Sequence, residues 1–431
     1  MKRTFLLAAC IGLSYAGGYP GGSLCAQTLE VTPQRVLMDE SPVIRATGLH
    51  PNERVTISAR LVDGADVPWF SEAEFVADAQ GTVDVSQQAP VKGSYKEVSA
   101  TGLIWSMMPG QNDVAAYRSP KDLGPQVVHF ELQRNGQPAA KADLEQLKIA
   151  DGVRQVEVKG QLHGVLFLPS TSGRHPGVLV LGGSEGGVPR QRAAWLASHG
   201  FAALALAYFN YEDLPPRLEA IPLEYFGRAI GWLMQRPEVA PGQIAVVGGS
   251  RGGELALQLA SMYSQIKAVV AYVPANVRYP ACCGGNTVPW AWTYTGKPLA
   301  YSPASPNVRP DVQMRASIEV EHTHGPIFLI SGEDDGVWHS SLMVSAILLR
   351  LKMEHFQYRV EHVNYPHAGH TAGNPEIRPT WHGMSLNRYE RLVNVGGTSQ
   401  GNALSGIDAA PKVIEFLRQS LQSADAGENK K

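Results

Sequence analysis

Two serines in this 431-residue chain stand in the pattern Gly-x-Ser-x-Gly, as Gly182-Gly183-Ser184-Glu185-Gly186 and Gly248-Gly249-Ser250-Arg251-Gly252. Glycines two places before and after a serine let a strand turn sharply into a helix and leave the hydroxyl exposed at the apex. That placement suits a nucleophile attacking a carbonyl. Both serines follow an apolar run, so what comes next must separate them. After Ser250 the sequence passes without a gap into Gly253-Glu-Leu-Ala-Leu-Gln-Leu-Ala260, an amphipathic helix whose positive end would face the serine. After Ser184 come Gly186-Gly187-Val-Pro189, a loop, and only then a segment that suits a helix. Ser250 is therefore the expected nucleophile and Ser184 the decoy.

Such a serine needs a base and an acid to orient the base, in the chain order Ser, Asp, His. Gly332-Glu333-Asp334-Asp335 follows the apolar run ending Leu329-Ile330, and Tyr365-Pro366-His367-Ala368-Gly369-His370 follows the run ending at Val363. Both groups fall at the carboxyl ends of predicted strands, where open α/β sheets build their sites. His370 is preferred to His367 because Gly369 beside it permits a close approach. Asp335 is preferred to its neighbour Asp334, which is left free to cap the following segment. The backbone N–H of Arg251, with that of Gly183 or Ser184, would form the oxyanion hole. His322, His324 and His362 show no convincing ligand spacing, so no metal is expected. The glycine run at 182–187 has no following Lys-Ser/Thr, so no phosphate loop and no cofactor are expected.

The elements that must hold these residues divide the chain in two. Residues 27–147 read as a small β-sandwich, with alternation such as Val55-Thr-Ile57-Ser-Ala59-Arg-Leu61 and frequent turn signals. Residues 148–422 read as α/β. Apolar strands at 177–181, 201–206, 244–247, 268–272, 327–330 and 358–363 alternate with helices near 189–199, 223–235, 251–263, 340–351 and 411–421. This implies a mostly parallel sheet covered on both faces by helices. The Pro- and Gly-rich stretches 274–323 and 371–405 fall outside the alternation and suit walls or lids of a site. Within the first, Trp290, Trp292 and Tyr294 either line an acyl pocket or pack the insertion. Residues 423–431 read as a disordered tail.

Composition excludes several classes. The chain is 44% hydrophobic and 18% charged, with 37 Lys plus Arg against 39 Asp plus Glu. No basic stripe offers a nucleic-acid surface. Lys2 and Arg3 precede the apolar stretch Phe5 to Leu13, which is too short to span a bilayer. Ser14-Tyr15-Ala16 and Leu24-Cys25-Ala26 both fit signal cleavage, and Leu7-Ala8-Ala9-Cys10 also fits a lipoprotein box. Residues 1–26 are thus expected to be an export signal, placing the remainder in the periplasm or outside the cell with no further membrane segment. In an oxidising compartment the adjacent Cys282 and Cys283 either bond to each other or remain free thiols in a tight turn.

The motifs together resemble the family of acyl-CoA thioesterases and bile acid-CoA:amino acid N-acyltransferases. Tyr208-Phe-Asn-Tyr211-Glu-Asp-Leu-Pro215, Leu223-Glu-Tyr-Phe226, Pro237-Glu-Val239, Ser250-Arg-Gly-Gly-Glu-Leu255, Gly332-Glu-Asp-Asp335 and Tyr365-Pro-His-Ala-Gly-His370 carry the resemblance in the second half. Gly93-Ser-Tyr95 and Gly102-Leu-Ile-Trp105 are similar to the family's β-sandwich. The resemblance implies an α/β-hydrolase preceded by a β-sandwich, with Ser250, Asp335 and His370 as triad and a small-molecule acyl thioester as substrate. Members that conjugate amino acids carry Cys at the nucleophile position. Ser250 instead favours transfer of the acyl group to water. An exported carboxylesterase or dienelactone-hydrolase-like enzyme, an N-acyltransferase, and a catalytically silent binding protein are the competing readings.

Overall fold

The computed structural model describes residues 27–110, 116–305, 307–387 and 391–428. The expected export segment, with Cys10 and Cys25, lies outside the described residues. The second half is built on an eight-stranded sheet. Its strands are β1 (Arg154–Val158), β2 (His163–Leu168), β3 (His175–Leu181), β4 (Ala202–Ala207), β5 (Val239–Gly249), β6 (Ile266–Tyr272), β7 (Ile327–Gly332) and β8 (Val360–Tyr365). They lie in the order β1-β2-β4-β3-β5-β6-β7-β8. β2 is antiparallel to both its neighbours, and every other pairing is parallel. Strands such as β4 and β7 are buried along their whole length. Continuous apolar runs of this kind mark strands covered on both faces.

The helices supply that cover. On one face α1 (Arg190–Ser198) and α5 (Ser399–Glu428) pack Trp195, Val413, Phe416 and Leu417 against Val180, Val247 and Phe328. On the other lie α2 (Leu223–Met234), α3 (Arg251–Met262) and α4 (Ser340–Met353), which contribute Phe226, Leu255, Leu259 and Ile347. α2 shows how the sequence makes such a helix. Leu223, Phe226, Ile230 and Leu233 recur at three- and four-residue spacing and are all buried.

The first half folds around its own core of Ile57, Trp69, Phe75, Trp105, Val128 and Phe130. A seven-stranded sheet, with Gln126–Arg134 and Arg54–Val62 near its centre, faces a three-stranded sheet of Thr28–Thr32, Val43–Thr47 and Val83–Asp84. Three expectations change here. The last helix begins at Ser399, not near Pro411, and Pro411 lies inside it. Proline suits a helix start, which made the sequence signal misleading. The same helix continues to Glu428, into the stretch expected to be a disordered tail, and residues 429–431 lie outside the described ones. The last strand sits at Val360–Tyr365, two residues later than the pattern indicated.

The two halves meet through residues 374–381, which follow His370 in sequence. Ile377 N–H donates to Met38 O (2.8 Å), and Gln146 Nε2 donates to Ile377 O (3.1 Å). Beside them Glu376, with its side chain 1% exposed, pairs with Lys148 at 2% and accepts from Ser119 Oγ (2.8 Å) and Gln191 Nε2 (2.9 Å). Burial alone would raise the Glu376 pKa, but Lys148 and Arg378 outweigh it and hold it down at about 2. A carboxylate with a depressed folded-state pKa stabilises fully above its ordinary value of 4.5 and loses that contribution as the pH falls through about 2. Glu376→Ala is expected to cost about 3–5 kcal/mol, because it strands a buried cation. Lys148→Met combined with Glu376→Leu should cost less than that single change. Urea denaturation at neutral pH and in acid checks both statements.

Candidate active site

Ser250 sits at the turn from β5 into α3, with φ 56° and ψ −125°. Its own N–H donates to Tyr272 O (2.9 Å) at the end of β6. The turn closes only because two flanking positions lack side chains. A Cβ on Gly248 would run into the Gly252 carbonyl, and one on Gly252 into the carbonyl of Gly182. The Ser250 hydroxyl lies 2.8 Å from His370 Nε2 and donates to it. His370 Nδ1–H donates to Asp335 Oδ2 (2.9 Å) and Oδ1 (3.0 Å), a tautomer assigned from this pairing. The Asp335 side chain is fully buried, and its Oδ1 also accepts from the N–H groups of Val337 (3.0 Å) and Trp338 (3.2 Å). Those amides hold the carboxylate edge toward the imidazole. The three side chains therefore form one hydrogen-bonded chain from the ends of β5, β7 and β8.

The competitors lie elsewhere. His367, at φ 57°, is largely exposed and faces Asp334 across 3.4 Å. Ser184 lies on the loop after β3, where its carbonyl is 3.3 Å from Cys283 Sγ. Gly183 abuts the nucleophile, since a Cβ built on it would stand 3.4 Å from Ser250 Cβ. The backbone of this loop and the first amide of α3 at Arg251 therefore flank Ser250, as an oxyanion hole requires. Of the two states open for the adjacent cysteines, Cys282 and Cys283 are bonded to each other.

The aromatics expected near the acyl group are placed differently. Trp292 is 1% exposed and packs on Tyr208 and Phe226, with its Nε1–H donating to Glu254 Oε1 (2.8 Å). It is core packing rather than a pocket wall. Glu254 needs that donor: burial pushes its pKa up, against Arg251 at 3.3 Å and the Trp292 hydrogen bond. Tyr294 is at the surface, and Trp290 is half-buried in a bridge to Pro280. The aromatic beside the chemistry is Trp338. Its ring meets His370 edge-on at 5.3 Å, stacks on Tyr279 at 5.4 Å, and anchors through Nε1–H to Val273 O (3.0 Å).

The sequence also gave no sign of what braces His370. Its N–H donates to Val395 O (2.7 Å), and the preceding Gly369 N–H donates to Asn402 Oδ1 (2.7 Å). Gly373 N–H donates to Ser405 Oγ (3.2 Å). Asn402 and Ser405 belong to the part of α5 that lies before Pro411. The one signal available for Trp338 was its position three residues beyond Asp335.

A second described cavity, of about 460 Å³, lies between the halves and is lined by Met38, Leu123, Val188, Arg192 and Glu376 among others. A larger one, about 870 Å³, lies on the sandwich sheet around Arg60, Phe70, Lys92 and His129, and no triad residue lines it. Among the described residues the one cluster of metal-ligand type is His163, Glu212 and Asp213. There each ring nitrogen already faces a carboxylate, Nδ1 that of Glu212 (2.8 Å) and Nε2 that of Asp213 (3.1 Å), which is an ion-pair arrangement.

A half-buried serine at a strand-to-helix turn on a sheet of this strand order, hydrogen-bonded through histidine to aspartate, defines the class as an α/β-hydrolase. Residues 39–160 match the acyl-CoA thioester hydrolase/BAAT N-terminal region, and residues 221–423 match the BAAT/acyl-CoA thioester hydrolase C-terminal region. The chain belongs to this family. It is 31% identical to acyl-coenzyme A thioesterase 1 of Rattus norvegicus over 93% of this chain and 98% of that protein. It is 30% identical to acyl-coenzyme A thioesterase 6 of Mus musculus over 92% of this chain and 97% of that one. Among solved structures, a putative dienelactone hydrolase of Klebsiella pneumoniae aligns at 17% identity and TM-score 0.42, over 62% of this chain and 98% of that one.

Asp335→Asn should keep the fold while lowering turnover by about 10⁴-fold, because the amide presents the wrong partner to His370 Nδ1–H. Steady-state rates beside a circular-dichroism spectrum check this.

Proposed function

We propose that the protein hydrolyses acyl-CoA thioesters through a Ser250 acyl-enzyme. The observation that carries the reading is the unbroken chain from the Ser250 hydroxyl through His370 to Asp335, in a member of the acyl-CoA thioester hydrolase family. His370 Nε2 takes the Ser250 proton as Oγ attacks the thioester carbonyl, and Asp335 stabilises the imidazolium. The oxyanion faces the N–H groups of Arg251 and of Gly183 or Ser184, each donor worth about 10²–10³ in rate. Collapse expels the thiolate, which His370 protonates. A thiol is a weaker base than an alcohol and needs less help in leaving. Water, deprotonated by His370, then attacks the ester on Ser250 and releases the carboxylic acid. Serine supports this direction, because its oxygen ester is less prone to attack by an amine than a cysteine thioester.

We also propose that the chain acts outside the cytoplasm. Lys2 and Arg3 before the apolar run support this, as does the bonded pair Cys282–Cys283, since such pairs persist in oxidising compartments. N-terminal sequencing of the protein from the periplasmic fraction should find a start at or before Gln27; an intact Met1 in the cytoplasm would reject it.

The test of the activity is thiol release from medium- and long-chain acyl-CoA, with Ser250→Ala beside it and glycine or taurine added to part of the sample. Turnover that disappears in the variant, with free acid as product, is the expected result. Amide product would assign an acyltransferase instead. Turnover of carboxylic esters alone would assign an esterase. A folded protein that neither turns over thioester nor reacts with a fluorophosphonate probe would be a binding module.

A further inference from the structure

The loop after β3 flanks Ser250, and a buried phenol grips its first peptide unit. Tyr208 directly follows β4, the strand that pairs in parallel with β3. Its hydroxyl donates to Gly182 O (2.6 Å). The residue is 1% exposed, and its ring is wedged among Phe209, Phe226 and Trp292, with ring centres 5.2, 5.2 and 6.1 Å away. The next two residues hold the far end of the loop. Phe209 O accepts from Gly187 N–H (2.9 Å), and Asn210 Nδ2 donates to Glu185 O (3.0 Å). Tyr208 is the one that acts beside the nucleophile helix, because the oxygen it grips is the one a Cβ on Gly252 would strike.

The carbonyl of Gly182 and the N–H of Gly183 belong to one peptide unit. Thr32–Pro33 is the one cis bond among the described residues, so this unit is trans as well as planar. Its N–H therefore points away from the side on which Tyr208 holds the oxygen. The unit turns only as a whole, so swinging the N–H would break the bond to Tyr208. Gly183 itself stands at the nucleophile: a Cβ built on it would lie 3.4 Å from Ser250 Cβ and 3.9 Å from Oγ. The other amide open as an oxyanion donor, that of Ser184, shares its unit with Gly183 O. That oxygen accepts from Gly186 N–H at 3.4 Å, a long bond inside the loop. The Gly183 unit is fixed from outside the loop by a rigid, packed side chain. Burial pushes the Tyr208 pKa above its usual value, so the hydroxyl keeps the proton it donates. A donor held in place before the reaction costs no reorganisation during it.

We infer that Tyr208 is a positioning residue of the oxyanion hole, and that it fixes the N–H of Gly183 as the second donor beside that of Arg251. The inference rests on the Ser250 acyl-enzyme reading above. The aromatic packing around the ring, Trp292 included, then does more than fill space: it keeps the hydroxyl at the loop.

The test compares Tyr208→Phe with Tyr225→Phe. Each deletes one hydroxyl from the same aromatic cluster and keeps the ring. The Tyr225 hydroxyl donates to Ala207 O (2.7 Å) and accepts from His163 N–H (3.2 Å), so it serves β4 and β2. Tyr208→Phe should lower kcat on an acyl-CoA about tenfold, part of the roughly 10²–10³ that an oxyanion donor carries. KM should stay unchanged, as should the Kd of an S-alkyl-CoA thioether, which has no carbonyl. Tyr225→Phe should keep the wild-type kcat. A fluorophosphonate probe frees the test from the identity of the substrate. Its phosphoryl oxygen takes the oxyanion position as Ser250 Oγ displaces fluoride, so Tyr208→Phe should slow labelling about tenfold as well. Labelling slowed in Tyr208→Phe alone would uphold the inference even if no thioester were turned over. Labelling at the wild-type rate in folded Tyr208→Phe would overturn it. Equal slowing in both variants would reduce Tyr208 to core packing and overturn it too. Weaker thioether binding with kcat unchanged would assign Tyr208 to substrate binding, which also overturns it.

Discussion

The strained backbone at Ser250 is the constraint on which the site depends. A non-glycine residue at φ 56° and ψ −125° lies outside the regions an L side chain adopts freely, at a cost of order 1–3 kcal/mol. The strain persists because its surroundings leave no alternative. β5 is pinned between β3 and β6, Ser250 N–H is tied to Tyr272 O, and α3 is buried from Arg251 through Ala260. The bare positions Gly248 and Gly252 let the helix start press against β3. One consequence is geometric: the hydroxyl stands above the sheet at the height of the loops that follow β7 and β8. Another is electrostatic, since the N-terminal end of α3, with its partial positive charge, begins at Ser250.

The rest of the fold serves to bring His370 to that hydroxyl and keep it there. Its loop leaves β8 and is caught from behind by Val395, Asn402 and Ser405. Farther along, the same chain is caught by the sandwich through Met38, Gln146 and the Lys148–Glu376 pair. The sandwich thus does more than precede the hydrolase half. It holds the segment that carries the base. A buried pair is a costly way to make such a joint. It is also a geometrically specific one, because neither charge tolerates a shifted partner.

Much of this was legible in the sequence, and what was not has identifiable causes. Sheet and helices follow from apolar runs and three- to four-residue spacing, so α2 and α3 were read almost to their ends. Ser250, Asp335 and His370 were legible because each sits just past an apolar run, at positions fixed by topology. The support for His370 was not legible. Asn402 lies in the half of α5 before Pro411, where Gln-, Gly- and Ser-containing sequence has weak helical periodicity and the proline suggests a start. Trp292 was misleading because an indole beside other aromatics in an irregular stretch looks alike whether it lines a cavity or fills one. Its burial on Glu254 is a long-range fact.

The central claim is that an acyl group passes through Ser250 and not through its sequence twin Ser184. It is tested most directly by quenching the reaction with an acyl-CoA within the first turnover, digesting the chain and finding the added acyl mass. The account predicts that mass on the peptide containing Ser250. An acyl group on the peptide containing Ser184, or on Cys282 or Cys283, would contradict it.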